Sequence, residues 1–151
     1  MSSQAIAIGG WAALLALLCA CSPSNAYQTA LTATAQALAE LDASLPPRYE
    51  EAAHSALDES STREEYDSRM QGWNRLEEAM RICRVSLLSS QDALDVWKES
   101  AGAESTFWSV LPSLLGALRD LGENLQSLDV TIPDDILEAL RLLEGLEPSN
   151  G

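Results

Sequence analysis

Several residue types are scarce in this chain of 151 residues, and each scarcity narrows the classes of function open to it. The chain has one histidine, one phenylalanine and three cysteines, and aromatic residues make up 5% of it. Nine basic residues stand against 23 acidic ones, which gives a formal net charge of −14. Binding to phosphates depends on clustered cations, so this balance disfavours nucleic acid as a partner.

Motifs that carry common catalytic chemistry are also missing. The sequence contains no Gly-x-Ser-x-Gly turn, no glycine-rich phosphate loop and no Cys-x-x-Cys pair. Adjacent acids occur at Glu64-Glu65 and Glu77-Glu78, but neighbouring helix residues point about 100° apart. Their carboxylates therefore do not converge on one substrate, and we expect the protein not to be an enzyme.

One pair of residues has a spacing that some metal sites use. Glu51 and His54 match the Glu-x-x-His pattern of di-iron carboxylate bundles, but that architecture needs a second such motif, and His54 is the only histidine. A haem held by His54 with Met70 or Met80 is the other option, but both methionines fall on a predicted apolar face, where core packing is the better interpretation. We expect no metal and no cofactor.

The N-terminal segment carries the clearest signal of cellular location. Residues 5–20 are uncharged and mostly apolar, which is short for a membrane span of roughly 20 residues but suits a secretory signal. Leu18-Cys19-Ala20-Cys21 resembles the lipobox of bacterial lipoprotein precursors. That resemblance implies cleavage before Cys21, acylation of Cys21 and, from Ser22, sorting to the outer membrane. An uncleaved anchor and a hydrophobic helix of a cytosolic protein are the alternatives.

The remaining sequence is dominated by helix-forming residues. Leu and Ala supply most of its apolar content, and apolar residues recur at alternating spacings of three and four, which predicts amphipathic helices. The predicted helices are Tyr27–Leu45, Arg48–Leu57, Arg63–Lys98, Phe107–Leu128 and Pro133–Gly145.

Particular residues set the expected ends of these helices. Pro46-Pro47 should end the first helix, and Ser61 or Thr62 should cap the third through Glu64 or Glu65. Pro112 should kink the fourth helix or begin it.

Expectations about burial centre on the long third helix. Its apolar face broadens because Ile82, Val85 and Leu88 add to the repeating positions, so we expect its middle to be its most buried part. Cys83 lies on the same face, which favours a buried, unreactive thiol over a nucleophile or an intermolecular disulfide.

The predicted fold class is all-α, an antiparallel helical bundle of about four main helices after an N-terminal signal segment. We assign residues 1–20 to the signal peptide and 21–26 to the lipidated cysteine and a short tether. Residues 27–147 form the bundle domain, and 148–151 form a tail.

The predicted function is that of a non-catalytic lipoprotein, an interaction module held by its lipid at the periplasmic face of the outer membrane. Its partner would be another envelope protein or a second copy. Trp108, next to the apolar position Phe107, is the candidate partner contact, whereas Trp73 and Trp97 are expected in the core. The alternatives are an acidic inhibitor or immunity-type protein that binds a basic enzyme or toxin, a phage-encoded lysis or exclusion lipoprotein, and a small-ligand carrier.

Overall fold

A computed structural model of the chain describes residues 23–100 and 104–146, which form four α-helices and no strand. These helices are α1 (Pro23–Glu59), α2 (Arg63–Glu99), α3 (Glu104–Ser127) and α4 (Asp134–Leu146). The predicted all-α helical bundle is therefore confirmed. The predicted signal, the lipidation site Cys21 and the predicted tail lie outside the described residues.

The two long helices, α1 and α2, form an antiparallel hairpin joined by residues 60–62. Lys98 Nζ donates a hydrogen bond to Gln28 Oε1 at 2.9 Å, and Arg84 forms an ion pair with Asp42. Residue numbers thus fall along α2 as they rise along α1, which defines the antiparallel pairing.

The two shorter helices close the bundle. α3 runs antiparallel to α2, since the Cys83 thiol lies 3.2 Å from the Ala117 carbonyl and a Cβ on Gly72 would lie 3.0 Å from Leu128 Cδ2. α4 packs mainly on α1 and less on α3. Each helix therefore has two neighbours, and the apolar faces meet in the middle.

One continuous hydrophobic core results from this packing. Its largest fully buried side chains are Tyr27, Leu41, Leu76, Phe107, Leu111, Leu114, Leu115, Leu118, Leu121, Leu125, Ile136 and Leu143. On α1 the alanines Ala30, Ala33 and Ala37 are also buried.

The prediction that Pro46-Pro47 ends the first helix is wrong. Both prolines lie inside α1, which continues to Glu59 and absorbs the separate helix predicted from Arg48. The rings cannot donate to the carbonyls of Asp42 and Ala43, but both residues are exposed, so water can take the place of the missing donors. Packing against α2 on both sides of the prolines keeps the helix in one piece.

The start of α1 also differs from the sequence expectation. The sequence predicts that residues 23–26 form a short tether, whereas they are part of the helix. Pro23 is the first described residue of α1, and its ring fixes a φ that suits a helix.

The expectation that Ile82, Val85 and Leu88 join the buried face in the middle of α2 is wrong as well. Ile82, Val85 and Leu88 are 39%, 52% and 62% exposed, although Cys83 and Leu87 beside them are buried. Two neighbouring helices, α1 and α3, cover only one side of α2. The additional apolar residues point away from both neighbours.

Local signals at the helix ends agree better with the structure. Thr62 caps α2, its hydroxyl accepting a hydrogen bond from the backbone N–H of Glu65 at 3.2 Å. The Glu65 carboxylate in turn accepts from the Ser61 N–H at 2.7 Å. α3 ends at Ser127. Asp129, in the turn that follows, has a left-handed φ of 54°, and the next N–H, that of Val130, donates to the Leu125 carbonyl.

Candidate functional site

An open groove between α1 and α2 is the candidate site, with a volume of about 430 Å³. Its lining comes from these two helices alone: Leu41, Asp42, Leu45, Pro46, Tyr49, Glu50, Trp73, Leu76, Glu77, Met80 and Arg84. Most of these side chains are apolar, and they belong to one stretch of each helix.

The floor of the groove is part of the core. Leu41, Leu76 and Met80 are 2%, 2% and 4% exposed, so an occupant of the groove contacts them only at its base. They come from the repeating apolar positions that hold α1 against α2. Pro46 lies in the wall above them. Its side chain is a compact ring, and it has no backbone N–H.

Two aromatic residues form one end of the groove. The rings of Tyr49 and Trp73 meet edge to face, with centroids 6.1 Å apart and planes 89° apart. Tyr49 is 37% exposed and Trp73 is half-buried. Both rings therefore keep apolar surface available to an occupant, which is typical of binding sites.

The rim of the groove is acidic. Asp42 is neutralised by Arg84 across the two helices. Glu50 and Glu77 are exposed, and neither forms an ion pair with a described residue. The groove thus combines an apolar floor with two carboxylates that have no cationic partner in the described part of the chain.

A second aromatic cluster, at the other end of the bundle, is packed for stability. The Phe107 ring contacts the rings of Tyr27, Trp97 and Trp108, with centroids 4.5, 4.9 and 4.6 Å away. Trp108, the predicted partner contact, is half-buried and does not line the groove. Its role as a contact stays a prediction.

Cys83 is buried, as expected. Its thiol donates to the Ala117 carbonyl at 3.2 Å. Burial raises the pKa of this thiol to about 12, and the negative charge of Asp120 adds to the effect. A nucleophilic cysteine needs a lowered pKa and access to solvent, so this environment favours the packing role.

The residues considered for metals and haem do not come together. Glu51 and His54 are both exposed on α1, whereas Met70 and Met80 are buried. In the described ranges, no group of three or more His, Cys, Asp or Glu side chains is arranged to hold a metal ion. The two methionines fill the core instead.

The sequence predicts where several groove residues lie on their helices, but it does not predict the groove itself. It predicts that Met80 lies on an apolar face of the helix and that Trp73 belongs to the core. It placed Tyr49 on a separate short helix after the prolines. The sequence signal for the groove is the position of Pro46-Pro47, which stand between the apolar residue Leu45 and the aromatic residue Tyr49.

None of the helices in the described ranges is long and apolar enough to cross a membrane. Comparison of the chain with protein-family models, with curated proteins and with solved structures found no match.

Proposed function

We propose that the protein is a non-catalytic envelope lipoprotein, anchored through Cys21, whose helical bundle binds another envelope protein. The observation that carries the proposal is the α1–α2 groove, an open apolar channel of about 430 Å³ with Tyr49 and Trp73 at one end. Aromatic side chains supply much of the binding energy of protein interfaces. The lipobox-like segment Leu18–Cys21 supports the location.

The position of the groove suits an anchored protein. α1 begins at Pro23, two positions after Cys21, and the groove begins at Leu41. At 1.5 Å per helical residue, the groove starts about 27 Å along α1 from its first residue. A domain held at Cys21 can therefore present the groove beyond the lipid headgroups.

Mass spectrometry of the protein from a bacterial host tests the anchor. We expect residues 1–20 to be absent and acyl chains to be attached to Cys21. The native protein should fractionate with membranes, and the Cys21→Ser variant should not be acylated. An intact N-terminus without lipid would contradict the proposal.

Site-specific photo-crosslinking in the producing cells tests the binding role. A photoreactive residue at position 45, in the groove, should give one defined protein adduct. The same residue at position 123, which is exposed on α3, is the matched control and should not give that adduct. Identical adducts from both positions would show that the groove is not the contact.

An acidic inhibitor or immunity-type protein is the second candidate function. The net charge of −14 favours it, and so do the carboxylates of Glu50 and Glu77, which have no ion-pair partner among the described residues. Such a protein would bind a basic enzyme or toxin with an affinity that falls steeply as salt rises. A crosslinked partner of neutral or acidic charge would exclude this candidate.

A further inference from the structure

We infer that the α1–α2 groove is a docking site for an amphipathic helix of the partner protein, with apolar side chains at helical spacing and Lys or Arg beside them. The inference rests on the proposed function, because it specifies the partner that this function requires. Three properties of the groove lead to it: its shape, its apolar floor and the charge of its rim.

The shape of the groove fits one row of side chains. Its lining extends from Leu41 to Glu50 on α1 and from Trp73 to Arg84 on α2, which is about 14 to 17 Å at 1.5 Å per residue. The axes of two packed helices lie about 8–10 Å apart, and Leu41, Leu76 and Met80 close the groove from below. A helix, with a diameter of 10–12 Å, must therefore lie above the groove and insert only one row.

The floor selects apolar side chains for that row. Leu41, Leu76 and Met80 lie beneath the channel, and the exposed edge of Tyr49 borders it. Recognition of this kind uses residues at positions i, i+3 or i+4, and i+7 of the bound helix. A length of about 15 Å accommodates about three such residues, because two turns of a helix rise about 11 Å.

The rim selects the charge of the bound helix. Arg84 is already paired with Asp42, so the groove retains Glu50 and Glu77 as carboxylates without a partner among the described residues. A docked helix that excludes water from these two groups without a cation nearby would incur a desolvation cost. The attraction of a nearby Lys or Arg offsets part of that cost. A second copy of this chain, with its net charge of −14, is a poor match.

Binding of a designed peptide tests this inference. The probe is a fluorescent helical peptide with Leu at positions i, i+4 and i+7 and Lys on both sides of that row. The reference peptide has Glu in place of Lys. The full chain is held in nanodiscs of zwitterionic lipid, the signal from empty nanodiscs is subtracted, and fluorescence anisotropy gives Kd. We expect the Lys peptide to bind at least about tenfold more tightly than the Glu peptide.

Two double variants distinguish the effect of the groove carboxylates on binding from the effect of the overall negative charge of the protein. Glu50→Gln with Glu77→Gln should weaken binding of the Lys peptide about fivefold, as expected for the loss of two exposed ion pairs. Glu40→Gln with Glu99→Gln removes the same charge at exposed positions outside the groove. It should change Kd by less than about twofold. Circular dichroism checks that both proteins remain folded.

A photoreactive group in the apolar row of the peptide locates the contact. Adducts on residues 41–50 and 73–84 support the inference. Adducts elsewhere, equal weakening by both double variants, or equal binding of the two peptides would overturn it. If the Lys peptide does not bind but the photoreactive residue at position 45 still crosslinks a partner in cells, the binding function stands and the inferred chemistry of the partner is wrong. If the Lys peptide does not bind and position 45 gives no adduct in cells, the proposed binding function is wrong as well.

Discussion

Tyr27 shows how much of a residue's role depends on its surroundings. The residue is fully buried at the start of α1, and its hydroxyl donates to the Ser90 carbonyl of α2 at 3.0 Å. Burial raises the pKa of the phenol. A buried hydroxyl without a partner would destabilise the fold, so the position requires both an apolar ring pocket and one acceptor.

Leu87 and Leu88 are neighbours on α2 with opposite environments, since Leu87 is 8% exposed and Leu88 is 62% exposed. Leu87→Ala should lower the free energy of unfolding by about 2–5 kcal/mol, because it removes buried surface and leaves a cavity. Leu88→Ala should change it by less than about 0.5 kcal/mol.

Urea denaturation of the two variants measures this difference. The Leu88 variant serves as the control for the Leu87 variant, because the chemical change is the same. A large loss of stability in Leu88→Ala would mean that the outer face of α2 is covered in solution, for example by a second copy.

Cys83 should make stability depend on alkaline pH. Its pKa rises from 9.0 to about 12 on folding, chiefly because the thiolate loses solvation. The folded state therefore favours the neutral thiol. This contribution is fully present below pH 9 and is lost as pH rises through 12, with a slope of at most about 1.4 kcal/mol per pH unit.

Free energies of unfolding measured at a series of alkaline pH values check this sign. The Cys83→Ala variant should show a shallower loss of stability with pH, although its absolute stability is lower. Tyr27 adds a slope of the same sign above pH 10, since burial raises its pKa too. Identical slopes for the variant and the native protein would contradict the assignment to Cys83.

At the scale of the element, α1 is the helix whose sequence and structure disagree most. Residue preferences place a boundary at Pro46-Pro47, yet the helix continues through them. Local energies oppose this, because an internal proline costs about 3 kcal/mol relative to alanine. Packing of α1 against α2 on both sides of the prolines offsets the cost.

Pro47→Ala should therefore stabilise the protein. The variant regains a backbone donor for the Ala43 carbonyl, while the greater freedom of its unfolded chain offsets part of the gain. We expect the free energy of unfolding to rise by about 1–2 kcal/mol.

Thermal and urea denaturation measure this effect. Pro133→Ala is the contrast, because Pro133 precedes α4 and its missing donor costs the helix nothing. If Pro47→Ala gave no gain, α1 would behave as two helices with a break at the prolines.

At the scale of the whole molecule, charge opposes compactness. The net charge is −14, and the ion pairs of the described residues are all exposed, including Arg69–Glu59 at 2.6 Å and Arg119–Glu144 at 3.2 Å. Exposed pairs of this kind stabilise a protein little. Burial of apolar side chains therefore has to outweigh the repulsion among carboxylates.

Added salt should therefore stabilise the protein. Raising NaCl from about 10 mM to about 150 mM shortens the screening length from about 30 to about 8 Å. We expect the free energy of unfolding to rise by on the order of 1 kcal/mol. The variant Glu40→Gln with Glu99→Gln, with less negative charge, should gain less from the same salt. A fall in stability with salt would mean that attractive pairs dominate the surface.

Ion pairs and helix caps show where local rules are sufficient. The Thr62 and Glu65 cap was predictable because all its atoms belong to neighbouring residues. The i to i+4 spacings of Glu65 with Arg69 and of Glu77 with Arg81 favour ion pairs on a helix, but neither pair forms among the described residues. Arg69 instead pairs with Glu59 across the hairpin, and Arg81 pairs with Glu78. A flexible arginine side chain can reach several carboxylates, and the alternative ion pairs differ little in energy.

The sequence alone determined the helical class, the apolar faces and the caps, because helical periodicity and capping are properties of adjacent residues. It also carries the lipobox-like segment, which is read directly from residue types. Only the tertiary structure decided that α1 passes through Pro46-Pro47 and that Ile82, Val85 and Leu88 face outward. It also decided that Trp73 meets Tyr49 beside a groove. These outcomes depend on which side of each helix its neighbours cover, and that is set by the packing of the whole bundle.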